Sequence, residues 1–248
     1  MIKHCIIMSS SYTDGTRVAL DITEVNLLNI AKAIKYIKEH CDKDVPLSTH
    51  FIETASDSWS SVIEYDSFFE DVVCVKSTKE FSEKIKKSRL LTGLDIATYI
   101  LSKIKCTHLS LEKLVYFAYA DYLCEYSKQL FEDKIFAFTH GPVIESVYKT
   151  YKGSGAQCIN PLGIDNDSYV KTSVRELPAR SRILFAEDGA EKLHSVNKTI
   201  HKYGKYTAGE LVGFTHRPDS PWSHIDSTKR YQIIPDEIIV KYHHIECV

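Results

Sequence analysis

Three groups of residues in this chain have the types that acid–base, metal or phosphate chemistry uses. The first is His140, Glu145 and His216. A histidine beside a carboxylate can titrate near neutrality and exchange protons with a substrate. No nucleophile–base spacing and no oxyanion signature accompanies them. The plainer expectation is that His140 ends a strand and His216 closes a helix C-terminus, where a cation is favourable. No catalytic residue is therefore assigned. The second group is His243-His244 with Cys247 nearby. Adjacent histidines on one strand or helix point apart, so neither a metal site nor a cofactor is expected. The third is Gly153-Ser154-Gly155, which ends a helix instead of opening one and has no GK[ST] after it, so it is no phosphate loop. The seven cysteines show no CxxC spacing and read as free thiols in a reducing cytosol.

Composition narrows the class. The chain has 248 residues, 44% apolar and 26% charged, with a formal charge of −2. That is enough apolar matter for a sizeable core in one or two domains. The charge argues against binding nucleic acid by bulk electrostatics. No apolar run is long enough to span a membrane, and the N-terminus has no long h-region or cleavage site. Fifteen tyrosines supply aromatic surface for packing or for a protein interface.

The elements that must position any site follow from periodicity. Residues 1–76 read as a small α+β module. Its strands are expected at the Cys5–Met8 run, at Val18-Ala19-Leu20, at Ser61-Val62-Ile63 and at Asp71–Val75. A helix over about 23–40 carries Leu27, Ile30, Ala31, Ile34 and Ile37 on one face, and 42–58 is turn-rich. Ser77 and Glu80 form a capping-box pattern, opening a lysine-rich helix read as a solvated linker over 77–92. From 93 to 248 the chain reads as mainly helical with a small β element. Apolar stripes predict helices after Leu94 and from Ser110 to about Tyr126. Lys134–Thr139 is extended. Gly141-Pro142 is expected to open a further helix, with Pro142 at its first position. Asp188 with Glu191 and Thr207 with Glu210 mark two more helix starts. Tyr169–Val174 and Tyr231–Ile234 read as extended, and Pro235-Asp236 starts a last short helix.

Several of these pieces, in this order, resemble the Panacea (SocA-like) antitoxin domain of bacterial and phage toxin–antitoxin systems. They are Leu111–Ala118, Phe136–Val143 with Val147-Tyr148, and Glu210-Leu211 to Thr215-His216 followed by Pro221-Trp222. The leading helix Asp95–Leu101 also fits, so the resemblance covers about 93–245. The chain departs from the family's pattern at His140 and at Lys229-Arg230-Tyr231, which lacks an expected glycine. The resemblance implies a cytoplasmic, non-enzymatic protein that neutralises a cognate protein toxin by direct contact. Its alternatives are a proteolytic adaptor for a AAA+ protease or a phage anti-defence protein. A second copy of the chain is a further candidate partner, and neither nucleic acid nor membrane is expected. In that frame Gly141, Pro142, His216 and Pro221 are structural, and Trp222 has both a core-plug and an interface reading. Tyr119, Glu145 and Tyr148, off the main apolar stripes, join Trp222 as expected partner contacts.

Overall fold

The computed structural model describes residues 1–10, 16–23, 25–41, 45–159, 178–226, 229 and 231–248. The chain divides into two compact units, Met1–Leu90 and Leu91–Val248. Among the described residues no helix is long and apolar enough to cross a membrane.

The first unit is built on β1 (Ile2–Ser10). Its apolar run is continuous because both faces are covered: Cys5 and Ile7 point to one layer, Ile6 and Met8 to the other. β2 (Arg17–Ile22) and β3 (Ser48–Thr54) flank it antiparallel, and β4 (Val72–Val75) pairs parallel to β2, giving the order β3-β1-β2-β4. Helices α1 (Leu27–His40) and α3 (Thr78–Arg89) cover one face with Ile30, Ala33, Ile37, Phe81 and Ile85. Helix α2 (Trp59–Tyr65) and Phe69 cover the other.

Three expectations for this unit need correction. Ser61-Val62-Ile63 is not a strand but lies in α2, because Ser58 accepts the Ser61 N–H at 3.3 Å and caps a helix there. The missing strand is β3, within the stretch read as turn-rich. The lysine-rich helix α3 is no solvated linker. Its lysines face water, but Phe81 and Ile85 are 0% and 1% exposed in the unit's core.

The second unit is organised around α5 (His108–Tyr126), which is buried on every side from Ser110 to Ala120. A helix buried on every side over eleven residues is a core element, even with Glu112 and Lys113 among them. It is enclosed by α4 (Gly93–Lys103), α6 (Glu145–Tyr151), α8 (Gly189–Tyr203), α9 (Ala208–Thr215) and α10 (Asp236–Tyr242). Residues 178–184 are helical and are labelled α7. Thr107, not Ser110, caps α5 by accepting the Ser110 N–H at 3.2 Å. α9 opens with the expected reciprocal box of Thr207 and Glu210. Asp188 precedes α8 but caps nothing with its side chain, which pairs with Lys128 at 2.6 Å.

Strands β5 (Ile135–Phe138), β6 (Gly141–Ile144) and β7 (Gln232–Ile233) form an antiparallel sheet in the order β6-β5-β7. Gly141-Pro142 therefore does not open a helix; both residues pair with β5, opposite Phe138 and Ala137, and α6 begins at Glu145. Pro142 is tolerated because β6 is an edge strand, where a missing N–H leaves no ladder bond unmade. The expected strand Tyr169–Val174 lies outside the described residues.

Candidate functional site

Two charged side chains in the N-terminal third of α5 fasten the sheet to it. Lys113 is fully buried and donates from Nζ to the Pro142 carbonyl at 2.6 Å. The neighbouring Glu112 accepts the Ile144 N–H at 3.1 Å. Burial pulls the Lys113 ammonium down to about 7 and pushes the Glu112 carboxyl up to about 7, since both charged forms lose water. Gly141 sits over this pair with φ of +99°. A Cβ there would lie 2.7 Å from Thr215 Oγ1 and 3.1 Å from Lys113 Nζ. The glycine is thus required both by its left-handed backbone and by the close approach.

The Thr215–Trp222 segment closes the same corner. The Trp222 indole donates to the Phe138 carbonyl at 2.8 Å and its ring lies 3.8 Å from that of His216. His216 reaches the carbonyls of Val212 (2.8 Å) and Thr139 (3.3 Å). Pro221 is buried and leads into a short 3-10 turn, Trp222–His224. These contacts make Trp222 a plug that pins β5 to α9.

The outward face of the sheet is aromatic. Ile135 and Ala137 point inward to the core, so Phe136 and Phe138 point out. Tyr231 lies edge-on against both, with ring centroids 5.9 and 5.8 Å away. Tyr148 meets Phe138 at 5.7 Å and His108 at 5.5 Å. Tyr231 is 54% exposed and Ile233, opposite Phe136, is 42% exposed. Tyr231 also holds φ of +59°, a left-handed conformation that a bulky non-glycine residue rarely takes.

The structure distributes the expected partner contacts unevenly. Tyr148 lies on the aromatic face, and Glu145 sits beside it at the start of α6, paired with Lys149 at 2.8 Å. Tyr119 is a correction: it is 2% exposed, packs on Phe131 and donates to Asp236 at 2.8 Å, so a partner cannot touch it. It fell off the apolar stripe only because α5 has no polar side at its level. His140, Glu145 and His216 do not assemble. Glu145 pairs with Lys149, His216 bonds to carbonyls, and His140 is exposed.

Sequence reasoning missed Glu112, Lys113 and Tyr231. The first two carried a signal: charged residues between Leu111 and Leu114, on a helix with no room for a polar face. Tyr231 carried one too, in the glycine that its segment lacks.

Residues 111–223 match the family described as antitoxin SocA-like, Panacea domain. The antitoxin SocA of Caulobacter vibrioides (strain NA1000 / CB15N) is 26% identical over 132 residues. That match spans 51% of this chain and 66% of the relative's length, just under two thirds of it. No solved structure matches the chain. The matched region contains the Glu112-Lys113 pair, the Gly141-Pro142 corner and Trp222. Residues 111–223 of this chain are thus similar to the Panacea domain of SocA-like antitoxins.

Proposed function

We propose that the chain is an antitoxin that binds a cognate protein toxin and neutralises it by direct contact. The Panacea match supports the class. The observation that carries the contact itself is the exposed aromatic face of the β5–β7 sheet, with Tyr231 at its centre in a strained backbone conformation. Strain at an exposed aromatic side chain is retained where that side chain has work to do. Aromatic side chains lose little entropy on docking and dominate the energetics of interfaces. Phe136, Phe138, Tyr148, Tyr231 and Ile233 form one contiguous patch, larger than a scatter of surface apolar residues. Lys134, Lys149 and Lys152 border it, with Lys152 over the Tyr148 ring at 5.6 Å. Glu145 and Asp133 stand among these lysines, so the face suits a toxin surface that is apolar at its centre and of mixed charge at its margin.

Co-expression with the product of the neighbouring reading frame tests this. Growth is expected to be arrested by that product alone and restored by this chain at equal amounts. A harmless neighbour, or one that stays toxic, overturns the proposal. The adaptor alternative separates by half-life, since an adaptor shortens its partner's lifetime and a stoichiometric antitoxin leaves it unchanged or longer.

A further inference from the structure

A second polar cluster lies towards the C-terminal end of α5, and the proposed toxin contact does not use it. Asp121 comes from α5, while His243 and Cys247 follow α10, four residues apart. One carboxylate oxygen of Asp121, one ring nitrogen of His243 and the Cys247 sulfur lie within 4.8 Å of one another. His243 is buried, and Asp121 and Cys247 are partly exposed. The His243 Nε2–Asp121 Oδ1 distance is 2.9 Å.

We propose that Asp121 Oδ1, His243 Nε2 and Cys247 Sγ bind a Zn²⁺ ion, with a fourth position open to water. The donor set is the first argument. Thiolate, imidazole and carboxylate together suit zinc, whereas magnesium and calcium take oxygen ligands. Spacing is the second. Tetrahedral zinc with bonds of about 2.0–2.3 Å sets its ligands about 3.4–3.7 Å apart. The Asp121–His243 pair must open by about half an ångström, and Cys247 must close by at most about 1 Å. Rotation about the side-chain bonds of Asp121 and Cys247 covers both.

The third and strongest argument is the shell behind the ligands. A zinc-bound histidine characteristically gives its other ring N–H to a carboxylate. His243 Nδ1 already does so, to Glu246 Oε2 at 2.9 Å. That same oxygen accepts from the Tyr116 hydroxyl at 2.8 Å, so the orienting carboxylate is itself held. On the other ligand, Asp121 Oδ2 accepts from Thr199 Oγ1 at 2.8 Å, leaving Oδ1 for the ion. The thiol lies 3.5 Å from the His243 carbonyl, a long contact, and its sulfur also interacts with the His243 ring and the Tyr203 hydroxyl. In the sequence, the His243-His244 pair argued against a metal because neighbouring histidines diverge. That objection does not apply here: one histidine ligates, and its carboxylate partner arrives from a helix 122 residues away.

This proposal is independent of the antitoxin reading. Its test uses the untagged full-length chain, stripped with a chelator and titrated with Zn²⁺ against a chromophoric competitor. One equivalent is expected to bind per chain. Co²⁺ in its place should give a thiolate-to-cobalt charge-transfer band in the near ultraviolet. Cys247→Ala and Asp121→Asn should each weaken Zn²⁺ binding tenfold or more, and Cys158→Ala should leave it unchanged. Absence of binding at micromolar Zn²⁺, or equal affinity in both ligand variants, overturns the proposal. So does Co²⁺ bound to the wild-type chain without a thiolate band, a readout that needs no variant to fold.

Discussion

Gly141 and Lys113 constrain each other: the glycine leaves the space that the buried ammonium fills, and the ammonium holds the carbonyl of the next residue. Gly141→Ala meets a positive φ and a 2.7 Å contact with Thr215 Oγ1 together. It should cost about 2–4 kcal/mol in unfolding free energy, measured by urea titration. Glu112 and Lys113 also make stability depend on pH, in opposite senses. The Glu112 carboxyl is raised from 4.5 to about 7. Its contribution is full below 4.5 and is lost as pH rises through 7, because only the unfolded chain ionises it early. The Lys113 ammonium is lowered from 10.5 to about 7. Between those values the unfolded chain binds more protons, so stability rises with pH. Urea midpoints should pass through a minimum near pH 7. Glu112→Gln should remove the acid-side slope and Lys113→Met the alkaline one.

At the scale of elements, the short edge strand β7 is the place where stability and binding should part. Tyr231→Gly relieves a left-handed backbone while losing ring contacts with Phe136 and Phe138. Its unfolding free energy should stay within about 0.5 kcal/mol of wild type, and neutralisation of the toxin should fall at least tenfold. Equal loss of both would make Tyr231 a packing residue only. The α9 cap offers a contrast: Thr207→Ala breaks a capping box and should cost about 1 kcal/mol without touching neutralisation. Elements whose local signals agreed with their tertiary setting were legible in the sequence, α9 and the β1–β2 pair among them. Where two local signals competed, tertiary structure decided. Thr107 and Ser110 are both fair caps for α5, and only packing selects Thr107. Gly141-Pro142 suits a helix start as well as an edge strand, and the Lys113 bond to the Pro142 carbonyl decides for the strand. Tyr119 was misplaced because periodicity assumes that a helix has a wet side. The Asp121–His243 pairing joins residues 122 apart, and no local pattern reports such a contact.

On the scale of the whole molecule, each unit has its own apolar core, and the division falls at Leu90–Leu91. The fragment 91–248 should unfold cooperatively by itself and retain the proposed toxin contact, since the aromatic face lies wholly within it. If the fragment folds but fails to neutralise, part of the contact belongs to residues 1–90. Such a result would give the first unit a role in choosing the partner.

The core of the second unit is closed by side chains that come late in the chain. Tyr116 bonds to Glu246 across 130 residues and Tyr119 to Asp236 across 117. During synthesis the first unit can fold as soon as it leaves the ribosome, but α5, though met earlier by α4, β6, α8 and α9, keeps one side uncovered until α10 emerges. Each new molecule therefore passes through a stage in which one side of its central helix is open to chaperones and proteases. Slower translation over the last stretch should prolong that stage, and a pulse–chase with slow codons after residue 226 measures whether less finished protein accumulates.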